Sequence, residues 1–184
     1  KIEVCCISAN DVLEARKGGA IRVELCTAIS SGGVSPSIGR VRSAVKTADG
    51  GLLVNLLIRP REGGFCYDES EIRTMLEDIQ ACRSAGADGV VIGALTPDGD
   101  IDMEACRRMM DAASGMNVTF HRAFDVCREP EKALEQIIEL GCDHLLTSGQ
   151  RPSALEGSAL IADLVRQAAG RITIMPGSGV NPGN

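Results

Sequence analysis

A parallel α/β fold, closing as a (β/α) barrel of the TIM type, is predicted by three features of this 184-residue sequence. Short apolar segments alternate with amphipathic ones along the whole chain. The apolar segments are rich in Val, Ile and Leu and alternate only weakly, which suits strands covered on both faces. Glycine recurs where the amphipathic segments end, two or three residues before the next apolar run, as a helix C-cap leading into a strand.

Seven strands are predicted: Ile2–Ser8, Arg22–Thr27, Leu52–Arg59, Gly89–Leu95, Asn117–Phe124, His144–Ser148 and Arg171–Pro176. Several successive starts lie roughly 27–30 residues apart, the length of a βαβ unit. Among the helices, Ser35-Pro36 predicts an N-cap followed by proline at the first helical position. Asp68 with Glu71 predicts a capping box, with Ile72, Met75, Leu76, Ile79 and Cys82 on one face behind it. Met103, Cys106, Met110 and Ala113 form a similar stripe. Pro130 opens a helix with Leu134, Ile137 and Ile138 inward, and Leu160, Ile161, Leu164, Val165 and Ala168 mark the last one. Gly18-Gly19, Gly86 and Gly141 supply the helix ends.

A closed barrel needs eight strands and typically about 250 residues. Residues 1–184 are therefore predicted to form one (β/α) barrel domain that is incomplete at its C-terminus, lacking the final βα unit. An open doubly wound sheet is the alternative. No Gly-x-Gly-x-x-Gly follows the first strand, which weakens a dinucleotide-binding reading.

Composition narrows the partners. A net charge of −6 and a pI near 5 repel nucleic-acid phosphates and anionic lipid. Three Phe, one Tyr and no Trp leave an aliphatic core and no stacking platform for bases. No apolar run is long enough to span a bilayer and no signal peptide is recognisable. The eight cysteines include no Cys-x-x-Cys pair, which argues against structural zinc, and a chain this large needs no disulfide framework. Reduced thiols in a cytoplasmic protein are expected.

In a parallel barrel, function gathers at the C-terminal ends of the strands. Polar residues inside or ending apolar strands are costly to bury and so single themselves out. Glu3 and Cys5 share one face of the first strand, and Glu24 and Cys26 repeat the spacing on the second. Two thiolates on neighbouring strands suit Cu(I), although a buried free Cys also serves as a small hydrophobe. Arg59 leaves the third strand into Arg61-Glu62-Gly63-Gly64, which suits an anion clamp or an internal salt bridge to Glu3 or Glu24. His121, near the end of the fifth strand, suits an acid, a base or a ligand, and equally a hydrogen-bonded core residue. Glu3, Glu24, Arg59 and His121 together would equip an enzyme acting on a small anionic or polyol substrate. Ser148-Gly149 and Gly177-Ser178-Gly179 end strands six and seven, where free backbone N–H groups would join Arg59 in holding an anion. Met175 is a soft thioether more in keeping with the core. Cys82 and Cys106 lie on helix faces turned to the core, Cys142 follows a helix end, and Cys66 and Cys127 fall in loops.

Taken together, these residues resemble the CutC family. Its pattern is matched by Glu24-Leu25-Cys26, Gly32-Gly33, Pro36-Ser37, Ile58-Arg59-Pro60-Arg61 and Asp88-Gly89-Val90-Val91. Thr119 through Asp125 is the most specific run, followed by Leu146-Thr147-Ser148-Gly149, Ala154-Leu155-Glu156-Gly157 and Ile174-Met175-Pro176-Gly177. Gly64 departs from the pattern, which has an acidic residue before Phe65. The resemblance implies a TIM-type barrel, a cytoplasmic homodimer or higher homo-oligomer, and a role in copper homeostasis with Cu(I) bound through cysteine.

Overall fold

The computed structural model describes residues 1–184. Strands and helices alternate as β1 (Glu3–Cys6), α1 (Ala9–Lys17), β2 (Arg22–Leu25), α2 (Ile38–Ala48), β3 (Leu53–Leu57), α3 (Glu69–Ser84) and β4 (Gly89–Ile92). They continue as α4 (Met103–Ala112), β5 (Asn117–Phe120), α5 (Pro130–Leu140), β6 (His144–Thr147), α6 (Ser158–Ala168) and β7 (Thr173–Pro176). The chain divides into two compact units. The first comprises Lys1–Gly64, Asp68–Ile92 and Asp111–Asn117; the second comprises Phe65–Tyr67, Gly93–Met110 and Val118–Asn184. No helix is long and apolar enough to cross a membrane.

In the first unit β1, β2, β3 and β4 pair in parallel and in chain order. The register sets Glu3 opposite Arg22, Cys5 opposite Glu24, Glu24 opposite Asn55, and Asn55 opposite Gly89. Side chains alternate along a strand, so these residues share one face. The other face carries Val23, Leu25, Val54, Leu56, Val90 and Ile92, all wholly buried. Val12 of α1, Val41 and Ala44 of α2, and Met75 and Ile79 of α3 are the matching buried helix positions. This apolar layer is what fixes the register, because a slip of one residue would bury Glu24 and Asn55 against the helices.

In the second unit β5, β6 and β7 pair in the same way. Phe120 and Phe124 are its largest wholly buried side chains, beside Leu134, Ile137, Leu145 and Leu164. Two of the four aromatics are thus spent on the core, while Phe65 and Tyr67 are half-buried.

The helix signals hold in most places. Asp68 and Glu71 form the capping box, Pro130 starts α5, and Gly141 caps it in the left-handed region. One correction concerns α2, which begins at Ile38 behind Ser37 rather than at Pro36. Ser35 is drawn elsewhere: its Oγ accepts from Arg59 N at 2.9 Å and lies 3.2 Å from Arg59 O. A second concerns β5, which stops at Phe120, with a 3-10 turn over Arg122–Val126 in place of strand. His121 ends the strand by accepting the Ala123 N–H on its own Nδ1 at 3.2 Å. Cys127 lies in a loop, as the sequence predicts, and is buried there.

A repeated device stitches strand starts together. Asp88 N donates to Val54 O while Asp88 Oδ2 accepts from Val54 N at 2.8 Å. Asp143 does the same to Val118, with N to O at 2.9 Å and Oδ2 accepting at 2.8 Å. Both aspartates sit two residues after the glycine that ends the preceding helix.

Gly89 marks the tightest approach in the first unit. A Cβ there would lie 2.4 Å from Asn55 Oδ1 and 2.5 Å from the Asn117 carbonyl oxygen. Gly89→Ala is expected to cost about 2 kcal/mol by overpacking. Urea unfolding checks this, and an unchanged midpoint would mean that the backbone relaxes freely.

Candidate functional site

The polar face of β1–β3 is built from charges that the strands have to accommodate. Arg22 and Glu3 form a buried ion pair. Glu24, one step further along β2, is buried. Burial pushes its carboxyl up to about 8, the charges of Cys5 and Glu3 add to this, and Arg22 opposes it. Glu24 is therefore largely protonated at neutral pH. Asn55 stands across from it in register, wholly buried. Its Nδ2 donates to Asn117 Oδ1 at 3.2 Å, while its Oδ1 has no hydrogen-bond partner.

Past Glu24 the same face carries sulfur. Cys5 Sγ and Cys26 Sγ lie 3.5 Å apart, with Cys5 exposed and Cys26 buried against Leu57 and Val91. The hydrogen bond between them holds the Cys26 thiol below its usual range and, with burial, drives the Cys5 thiol far above it. Either sulfur can donate the S–H across this contact. Cys6 faces the helices and its thiol is pushed up to about 12 by burial. No group of three or more His, Cys, Asp and Glu side chains is placed to hold a metal, so any metal at this pair would have two protein sulfurs.

Arg59 has an internal task. Its Nη1 donates to Gly33 O at 2.8 Å and Ser31 O at 3.4 Å, and its Nη2 donates to Gly63 O at 2.6 Å. The guanidinium ties the loop after β2 to the loop after β3, and it is buried there. Neither Glu3 nor Glu24 is among these partners; Glu3 belongs to Arg22.

His121 lies in the second unit, buried. Its ring is 5.0 Å from that of Phe65 and 5.9 Å from that of Phe120. Gly93 makes room for it, since a Cβ there would sit 2.6 Å from His121 Nδ1 and Cε1. Accepting the Ala123 N–H makes Nδ1 the unprotonated nitrogen.

Of the loop N–H groups that suggest an anion site, that of Ser148 already holds an anion, the carboxylate of Asp125. Its Oδ1 accepts from Thr147 Oγ1 at 2.5 Å, Ser148 N at 3.0 Å and Gln150 N at 3.2 Å. Its Oδ2 accepts from Arg122 Nε at 2.7 Å, and Ser148 Oγ lies 2.9 Å away. Gly149 N donates to Thr147 Oγ1, and Gly177 N to the Thr147 carbonyl. Ser178 Oγ turns to the Pro152 carbonyl. Gly179 is in the left-handed region, with φ +74°. Burial alone would push the Asp125 carboxyl up, but the hydrogen bonds from Thr147, Arg122, Ser148 and Gln150 outweigh it and hold the group below its usual range.

Asp125 and Arg122 were missed as site residues from the sequence. Within the run Thr119–Asp125 the sequence singles out only His121 as a candidate. The signal available was an acid and an arginine just beyond a strand end, with Thr147-Ser148-Gly149 ending the next strand.

The CutC family profile matches residues 1–184. A Parabacteroides distasonis protein named as a CutC family protein is 53% identical over 183 residues, spanning all of this chain and 75% of the relative. One from Pasteurella multocida, named likewise, is 50% identical over 184 residues, spanning all of this chain and 75% of the relative. A solved structure of the copper homeostasis protein CutC from Streptococcus agalactiae superposes with a TM-score of 0.94 at 35% identity, covering 99% of this chain and 89% of that one. An aldolase superposes with a TM-score of 0.73 at 18% identity over 98% of this chain and 80% of its own, a likeness of fold alone. The predicted class, a TIM-type (β/α) barrel of parallel strands, is the one these structures share.

Asp125 gives a pH signature. Its folded-state pKa lies below the unfolded value of about 3.9, so its stabilisation is fully present above that pH and is lost as pH falls through the folded pKa. Asp125→Asn is expected to cost about 2–3 kcal/mol at pH 7 and to lose less stability than wild type between about pH 5 and pH 3. Urea unfolding across that range checks it; parallel curves would remove Asp125 as the titrating group.

Proposed function

We propose, from the premise that this chain belongs to the CutC family, that it serves copper homeostasis by binding Cu(I) between the sulfurs of Cys5 and Cys26. The observation that carries this reading is the 3.5 Å approach of the two thiols. Soft monovalent copper favours thiolate ligands and accepts low coordination numbers, so two sulfurs without a hard third ligand suit it better than zinc or magnesium. Exposed Cys5 gives an ion access to the pair, and buried Cys26 anchors it. Copper is here the cargo. All eight cysteines are free, in keeping with a reducing compartment.

A second reading, an enzyme acting on a small anionic or polyol substrate, is favoured by Glu24. A buried carboxyl that keeps its proton near neutral pH is an acid available to a bound ligand. The other groups first assembled for this role have separate commitments: Glu3 to Arg22, Arg59 to loop carbonyls, and His121 to its own turn in the second unit.

Replacing both thiols, Cys5→Ser with Cys26→Ser, is expected to weaken Cu(I) affinity by at least about a hundredfold. Competition against a chromogenic Cu(I) chelator under anaerobic conditions measures it. Equal affinity in wild type and double variant would rule the pair out as the copper site.

A further inference from the structure

Arg122 differs from the other arginine at a strand end. Arg59 is buried and donates to three loop carbonyls. Arg122 is 42% exposed along its side chain and uses one edge only. Nε donates to Asp125 Oδ2 at 2.7 Å and Nη2 donates to Ser148 Oγ at 2.8 Å. These two nitrogens form the side edge of the guanidinium fork. Its forward edge, made by Nη1 and the second N–H of Nη2, donates to no protein group.

The support beneath that edge is unusual for a surface ion pair. In Arg166–Asp163 and Arg107–Glu139 both partners are exposed. Asp125 is only 7% exposed, and Ser148 and Thr147 are wholly buried. Burying this many polar groups costs free energy unless each is bonded, and here each bond helps to fix the plane of one half-exposed guanidinium. Nor does Asp125 cancel the charge of Arg122 alone. Its carboxylate is shared with Thr147 Oγ1 and the N–H groups of Ser148 and Gln150. What remains is an oriented cationic fork with two parallel N–H vectors to offer, at the C-terminal ends of β5 and β6. That geometry matches a carboxylate or a phosphate and nothing cationic.

We propose that Arg122 anchors a binding site for a small oxyanion, a carboxylate or phosphate carried by a metabolite, and that Asp125 and Ser148 are its positioning residues. The site is independent of the thiol pair, which lies in the other unit.

The test follows the arginine Nε–H signals of the full chain by NMR, at constant ionic strength, during titration with inorganic phosphate and separately with malonate. A saturable shift of the Arg122 signal with at least one probe is expected, and which probe acts distinguishes phosphate from carboxylate. Arg122→Gln should abolish the saturable binding, followed by calorimetry. Arg122→Lys keeps the charge but loses the fork, and should weaken binding by at least about tenfold with an unchanged urea midpoint. Ser148→Ala should weaken it by about threefold or more. The Cys5→Ser, Cys26→Ser double variant should bind the anion as wild type does. A linear, non-saturable shift with both probes, or wild-type affinity in Arg122→Lys, overturns the proposal.

Discussion

A carboxyl carried by a buried strand or strand end has to be paired, neutralised or saturated with hydrogen bonds, because an isolated ionised group is too costly away from water. This chain uses all three solutions. Glu3 is paired with Arg22 in the register of β1 and β2. Glu24, opposite the amide of Asn55, retains its proton. Asp125 keeps its charge and is saturated by donors from the turn after β5 and the loop after β6. The chemistry open to each part of the molecule follows from which solution it adopted. The ion pair offers nothing to a ligand, the neutral acid can give a proton, and the saturated carboxylate can orient what it touches.

The arginines obey the complementary rule. A guanidinium has five N–H groups, and what it can do depends on how many the fold consumes. Arg59 is spent on holding the loops after β2 and β3, so its place at a strand end reflects loop architecture. Arg122 is spent on one edge only. Sequence position alone cannot separate these two cases, since both follow an apolar strand. The difference lies in which groups the neighbouring loops present: carbonyls around Arg59, and a carboxylate with a hydroxyl beside Arg122.

Much of the fold was legible because it rests on local chemistry. Asp68 and Glu71 cap α3 through bonds spanning three residues, and Pro130 and Gly141 bracket α5 through their own backbone preferences. The burial of Val23, Leu25, Val54 and Leu56 follows from their place in apolar strand segments. The pairing of Cys5 with Cys26 was also legible, because alternation and adjacent strands suffice to bring them together. Departures arise where a side chain takes a backbone partner outside the regular helix or strand pattern. Ser35 is an equally good cap by composition, but Arg59, 24 residues away, takes its hydroxyl. The apolar run through Phe124 continues β5 on paper, but His121 folds back on Ala123 N. The glycine-rich end of β6 reads from the sequence as a nest for an external anion, whereas its Ser148 N–H goes to a carboxylate of the chain itself. Its occupant, Asp125, is 23 residues upstream of Ser148, and no rule of spacing names it.

The two proposed sites ask for opposite partners, and the reason is hardness of the donor set. Cys5 and Cys26 present polarisable sulfur, with a protonated Glu24 as the next polar group on β2. A hard divalent cation would need charged oxygen ligands that this face withholds. Arg122 presents a delocalised cation fixed in plane, which repels metal ions and selects planar or tetrahedral oxyanions. The sulfur pair lies in one compact unit and the guanidinium fork in the other, so the two proposals can be tested separately.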